Sequence, residues 1–427
     1  MLKAGFARLD ITPPLGTNIT GYFYPRIAEG ILDPIYLNAI ALNDGDNTIL
    51  IIAADFMAAN ERVLTIYRKN IETATGIPFD NIIIQSVHQH TSITPGDDKL
   101  ASREYNYILE QKFTDLAVIA LADLDDATAA YAEQETAVPV SFNRRFWMKD
   151  GTLATNPKPM NPDIDRPADN ADNTVRVIKF QRASKNDIAF VQFQTHPDVI
   201  GGTKFSADWP GFMRTYVENE LQDTHCMLLN GFQGDVNHYD VNKARPATQE
   251  EKYAHSKFMG RQIADAAIIA WNHTQPIDAE GIAGHSNTFY MRTNTNGIED
   301  LENSVQLRRD YEAGKLGSTS TVPIVNAFRI TNMVTVPILQ TVPVSVLRFG
   351  KVSIVGFSGE PFNDYAVQLR KAFPDRIIFT ATLANGCVGY FPSGQAYSEG
   401  GYEVTTAKLN KEIAPKLLET AKDLLNK

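Results

Sequence analysis

The sequence is poor in the features that mark secreted, membrane-spanning or nucleic-acid-binding chains. Only two of its 427 residues are cysteine, Cys226 and Cys387. Both fall in apolar stretches, so two reduced core thiols fit better than a disulfide framework. Basic residues are outnumbered, with 40 Lys and Arg against 50 Asp and Glu, for a net charge of -10. Phosphate backbones and anionic membranes both select basic surfaces, so neither nucleic acid nor a membrane surface is an expected partner. No apolar run approaches the about 20 residues needed to cross a bilayer. The N-terminus, MLKAGFARLDITPP, lacks the apolar core and small-residue cleavage site of a secretory signal, and the expected location is cytoplasmic. Histidine is scarce as well, at eight residues, which draws attention to any that lie close together.

What remains is an ordinary globular composition, 43% hydrophobic and 21% charged. Continuous apolar runs at Thr48 to Ala54, Asn81 to Val87, Thr174 to Phe180, Ile188 to Gln194, Cys226 to Leu229, Val352 to Phe357 and Ile377 to Leu383 predict buried strands. Helical spacing predicts helices at Glu61 to Thr75, Tyr105 to Leu124, Pro210 to Leu221, Gln249 to Trp271 and over the last twenty residues. Ile282 to Leu347 reads as mainly β, with a charged helix between Ile298 and Gly314. Ser141 to Asp172, rich in Asn, Pro, Asp and Arg, reads as a long irregular excursion. Strands and helices alternate without repeat or linker. The expected fold is therefore α/β, one domain over residues 1–427 with a large mixed sheet flanked by helices.

In such folds, sites gather at the carboxyl ends of strands. His88, His196, Gly234-Asp235, Glu360 and Asn385 all follow predicted strands. His88 and His90, at i and i+2 on a strand end, would face the same side. Neutral imidazole is a common zinc ligand, yet a hydrogen-bonded surface pair would look the same. His196, in QFQTHPDVIGG, either joins them or simply ends its strand. NGFQGDVN, from Asn230 to Asn237, offers backbone N–H groups to a substrate or is a plain turn. Glu360, in FSGEPF, is a ligand, a general base or a solvent-facing carboxylate. NGCVGYFPSGQAYSEGGY, from Asn385 to Tyr402, carries three tyrosines that could ligate a metal, bond an oxyanion or pack a loop.

Taken in order, these segments resemble the neutral/alkaline non-lysosomal ceramidase family in its N-terminal catalytic domain. GFARLDITPP with the following GY, SVHQHTSITPG, the NRR at Asn143 to Arg145, THP with SADWPG, NGFQGDVN, SGEPF, and ANGCVGY with GGYE are similar to the family's motifs. They run from Gly5 to about Glu403. The resemblance implies a zinc-dependent amide hydrolase with Zn2+ held by His88, His196, Glu360 and Tyr390, Tyr397 being a rival to Tyr390. It implies His90 as an acid/base group, Arg144 as a substrate or oxyanion clamp and Tyr402 as a donor to the reacting carbonyl. Asp235, of the Gly-Asp pair, joins the catalytic candidates. Two departures stand out. Gly231 falls where the family has a serine, which excludes an acyl-enzyme at that position, and HQHTSITPG is two residues longer than its counterpart. The family's C-terminal β domain has no counterpart in this chain. The expected reaction is cleavage of an amide or ester, in a small-molecule or N-acyl substrate, by metal-activated water. The alternatives are a metal-dependent hydrolase of a carbohydrate or phosphoester, and an inactive metal- or ligand-binding homologue.

Overall fold

The computed structural model describes residues 1–96, 103–316 and 321–427. Its main sheet has nine strands. The eight longer runs are β1 (Lys3–Asp10), β2 (Tyr36–Asn43), β3 (Thr48–Ala54), β4 (Ile82–Ser86), β5 (Asp125–Glu135), β6 (Thr174–Arg182), β7 (Asp187–Phe193) and β8 (Thr224–Asn230). In space they lie in the order β8-β7-β6-β5-β1-β2-β3-β4, and the short strand β9 (Gln275–Ile277) pairs with β5. The sheet is mixed. β3 and β4 run parallel, as do β7 and β8, and the other pairs are antiparallel. This bears out the expected α/β class with a large mixed sheet and flanking helices.

A second sheet holds β10 (Ala283–Arg292), β11 (Leu339–Phe349), β12 (Val352–Phe357) and β13 (Ile377–Ala381), with β12 and β13 parallel. Its residues Leu347, Phe349, Val352, Ile354 and Phe379 share one buried cluster with Val177, Phe180, Phe190 and Leu228 of the main sheet. Both faces of β3, β4 and β8 are buried, which is why these strands read as continuous apolar runs. Among the described residues, no helix is long and apolar enough to cross a membrane.

Three local expectations need correction. The 141–172 excursion is not irregular throughout, because Arg145–Met148, Leu153–Thr155 and Ile164–Pro167 form a small three-stranded sheet. Its strands, of three or four residues each, are too short to leave a hydrophobic period. The stretch from Ile282 to Leu347 holds a second helix, Thr321–Met333, besides the charged one, Leu301–Glu312. Residues 317–320 of that stretch lie outside the described residues. Finally, β1, β2 and β5 were not among the predicted strands. β5 is half-exposed along most of its eleven residues and rich in alanine, so it lacks the β-branched signature.

Candidate metal centre

β4 ends at Ser86, and the chain then leaves the sheet. His88 takes a left-handed conformation, with φ 87°, instead of continuing the strand. Such a backbone is strained for a residue with a Cβ and persists only where its surroundings enforce it. The pair therefore does not converge by strand alternation, as the i, i+2 spacing suggested. The kink brings His90 back, so that the two Nε2 atoms lie 3.2 Å apart with the rings nearly perpendicular. The ligand atoms of His88, His90 and His196 all lie within 4.8 Å of one another.

Three strand ends from two sheets are pinned together beneath this cluster. Gln85 Nε2 donates to the Asn230 carbonyl at 2.6 Å and to the Thr382 carbonyl at 3.0 Å, while Asn230 N–H donates back to Gln85 Oε1. Asn385, one of the residues expected near the site, serves the same purpose. Its Oδ1 accepts from Ile84 N–H and its Nδ2 donates to Ser345 Oγ. A second tie lies behind the histidines. Arg214 forms a bidentate pair with Asp55, at 3.0 and 2.6 Å, both side chains fully buried. Asp55 Oδ1 also accepts from Gln89 Nε2, which fixes the residue between His88 and His90.

His88 Nδ1–H donates to the Met57 carbonyl at 2.6 Å, and His196 Nδ1–H to the Val236 carbonyl at 2.9 Å. Each tautomer is thereby set, and each Nε2 turns a lone pair inward. Glu360 Oε2 sits 3.3 Å from His88 Nε2 and 3.2 Å from His196 Nε2. A carboxylate is an acceptor as well, so these three atoms face one another favourably only around a proton or a cation. Ligand atoms around a tetrahedral zinc at about 2.0–2.1 Å are separated by about 3.3 Å. The observed spacings match, and a distal ring N–H held by a backbone carbonyl is the usual partner of a metal-ligating histidine. The residues present therefore fit a zinc-type ion.

The electrostatics agree. Burial favours the uncharged carboxyl, but His88 and His196 outweigh it and hold Glu360 well below the usual range. Burial opposes charge on His88, yet Glu360 raises its pKa overall. His196 is pushed down to about 4 by burial and then by Arg144. His90 falls well below its ordinary value through burial and the neighbouring His88.

Arg144 reaches the same centre. Its Nε donates to Glu403 Oε1 at 2.6 Å and its Nη2 to the Gly234 carbonyl, and Nη1 lies 3.4 Å from His196 Nε2. The rings of Tyr390 and Tyr402 stand 5.8 Å apart, with the guanidinium 5.2 and 5.9 Å from their centroids. Glu360 and Tyr390 face each other across a short parallel pairing. Tyr397 is elsewhere, its hydroxyl bonded to the Leu409 carbonyl. Asp235 turns from the histidines. Its carboxylate accepts from Asn363 N–H and Asn143 Nδ2, bracing the residue that precedes Arg144. Burial lifts its pKa to about 7.

The NGFQGDVN loop is built on close approach. A Cβ at Gly234 would lie 2.4 Å from the Glu360 carbonyl oxygen, so only glycine lets this loop seat the glutamate. A Cβ at Gly231 would meet Gln192 Nε2 at 2.9 Å and Gln194 Oε1 at 3.0 Å. Those two glutamines fill the space a serine would need. The sequence reading missed Gln85, Asp55, Arg214 and Glu403. Only Glu403 had a signal, its place beside Tyr402 in GGYE.

Two solved structures share this fold. One is described as neutral ceramidase from Pseudomonas aeruginosa and the other as ceramidase complexed with C2. Each superposes with a TM-score of 0.76, over 99% of this chain and 74% of the other, at 13% and 14% identity. No family model and no curated protein matches the chain. At this identity the likeness establishes the ceramidase-type fold.

Proposed function

We propose that the chain is a zinc-dependent hydrolase of an amide or ester bond, acting on a small N-acyl compound. The observation that carries this reading is the triad of His88 Nε2, His196 Nε2 and Glu360 Oε2, with spacings of 3.2 and 3.3 Å that suit one tetrahedral ion. Tyr390, paired to Glu360 in register, would take the fourth position. A zinc ion held there supplies Lewis acidity, polarising a carbonyl oxygen and making water acidic enough to attack near neutral pH.

The remaining work falls to side chains. His90 is uncharged near neutrality, so its Nε2 can take the proton of the attacking water and return it to the leaving group. Arg144, fixed by Glu403, and the Tyr402 hydroxyl would stabilise the oxyanion that develops on the carbonyl. Asp235 acts at one remove, by holding Asn143 and the Asn363 backbone. With glycine at 231, no side-chain nucleophile is offered there.

The test is zinc content by elemental analysis, followed by turnover on chromogenic amides, esters, glycosides and phosphates. About one zinc per chain, lost in a His88→Ala/His196→Ala variant, with activity confined to amides or esters, is the expected result. Zinc-free protein that takes up no metal on reconstitution would overturn the reading. Turnover of glycosides or phosphates alone would overturn the choice of bond.

A further inference from the structure

We propose that the pocket beside the histidine centre, lined by His238, Lys243, Arg245 and His255, is a subsite for a carboxylate carried by the substrate. This names the substrate class of the hydrolase reading above and rests on it. The residues Val236–Asn237 pair with Phe142–Asn143 in a short antiparallel ladder. One end of that ladder delivers Arg144 to the histidines. At the other, the chain turns through His238 and Tyr239 and opens a cavity of about 160 Å³, walled on its apolar side by Val140 and Phe142. Pockets for whole small molecules run to roughly 300–1,000 Å³, so this one suits a terminal group.

The pocket is rich in donors. Lys243, Arg245 and His238 carry N–H groups, His255 Nε2 lies 3.5 Å from the His238 carbonyl, and the carboxylate among the lining residues, Asp240, is paired with Lys243 at 3.1 Å. His238 is only 2% exposed, and its Nδ1 has no partner among the described residues. Arg245 Nε is buried without a partner as well. Buried polar atoms are nearly always bonded, so two in one pocket leave positions for a water or a ligand to fill. Arg245 is already oriented, its guanidinium 4.4 Å from the Tyr239 ring centroid and its Nη2 donating to the Asn156 and Pro157 carbonyls.

Charge selects among anions. Burial and the neighbouring His255 keep His238 neutral, and burial lowers His255. Arg245 and Lys243 against Asp240 leave one uncompensated positive charge, which matches a carboxylate better than a phosphate dianion. The pocket is also close to the chemistry. The Val236 carbonyl that fixes His196 lies two residues before His238. A substrate could place its acyl bond at the histidines and its carboxylate here.

The test is isothermal titration of the full chain, stripped with EDTA so that no metal competes for the carboxylate, with hexanoate, hexanamide and inorganic phosphate. Hexanoate is expected to bind at one site, at least tenfold more tightly than hexanamide or phosphate. Arg245→Gln and His238→Phe should each weaken it at least tenfold. Lys243→Gln changes an exposed side chain, so it preserves the fold if the buried variants do not, and it should weaken hexanoate measurably. Equal binding of acid and amide, no binding, tighter binding of phosphate, or indifference to Lys243→Gln would overturn the subsite. Catalysis plays no part in this readout, so a protein that binds hexanoate and hydrolyses nothing overturns the hydrolase reading alone.

Discussion

Replacing Glu360 by glutamine keeps the size of the side chain and removes its charge. It thereby separates two donor sets that lie side by side. One set is the three imidazoles of His88, His90 and His196, within 4.8 Å of one another. The other replaces His90 by Glu360, whose Oε2 lies within 3.3 Å of both remaining Nε2 atoms. Residues that merely orient a ligand are worth about 10- to 100-fold in metal affinity. Loss of the ligating charge itself should therefore lower zinc affinity by at least about 100-fold, or about 2.7 kcal/mol. His90→Ala should change zinc affinity by less than about tenfold while reducing turnover by about 10²- to 10⁴-fold, the usual contribution of a general acid–base group. Zinc competition against a chromogenic chelator, run beside turnover and a thermal melt, reads both quantities. If His90→Ala abolishes zinc binding and Glu360→Gln leaves it intact, the carboxylate set is wrong and the three-imidazole set is the site.

Arg214→Met leaves Asp55 buried and uncompensated, and should lower unfolding stability by about 3–5 kcal/mol in urea titration. A loss below about 1 kcal/mol would contradict the buried pair described here. Gly231→Ser should not create a nucleophile. Its side chain collides with Gln192 and Gln194, so the expected effect is a loss of about 1–3 kcal/mol of stability by thermal melt and no covalent acyl adduct by intact mass. Asp235 has a folded pKa raised to about 7 by burial. Its contribution to stability is therefore fully present below its unfolded value near 4 and fades as pH rises through about 7, by up to about 4 kcal/mol. Asp235→Asn should flatten that decline, and equal slopes for wild type and variant between pH 4.5 and 7.5 would count against it.

Strands such as TILIIAA were legible because cover on both faces leaves a continuous apolar run, whereas β2, equally buried, has its run in YLNAIALN broken by Asn38. The helices Glu61–Thr75 and Gln249–Asn272 were legible from the helical spacing of their apolar residues. The structure adds the N-cap Asn60 and C-cap Gly76 to the first, and the capping box of Thr248 and Glu251 to the second. β5 and the helix Thr321–Met333 were not legible, since their identity depends on neighbours rather than on local pattern. Gln85 and Arg214 escaped notice for that reason too. A lone glutamine within an apolar strand and a lone arginine on a helix say nothing until their partners, 145 and 159 residues away in the chain, are known.

By itself, then, the sequence determined the strands that are continuously apolar, which residues have the chemistry of a metal site, and that these follow strand ends. Those properties are set by side-chain type and by periods of a few residues. Only the tertiary structure decided how the candidates meet. The left-handed turn at His88 folds His90 back onto it. Two parallel-paired strand ends from one sheet and one from another bring His196 and Glu360 to the same point. Arg144 was drawn in by Glu403, while Asp235, Asn385 and Tyr397 were turned to holding the backbone. Those outcomes depend on contacts between residues far apart in the chain, which no local pattern records.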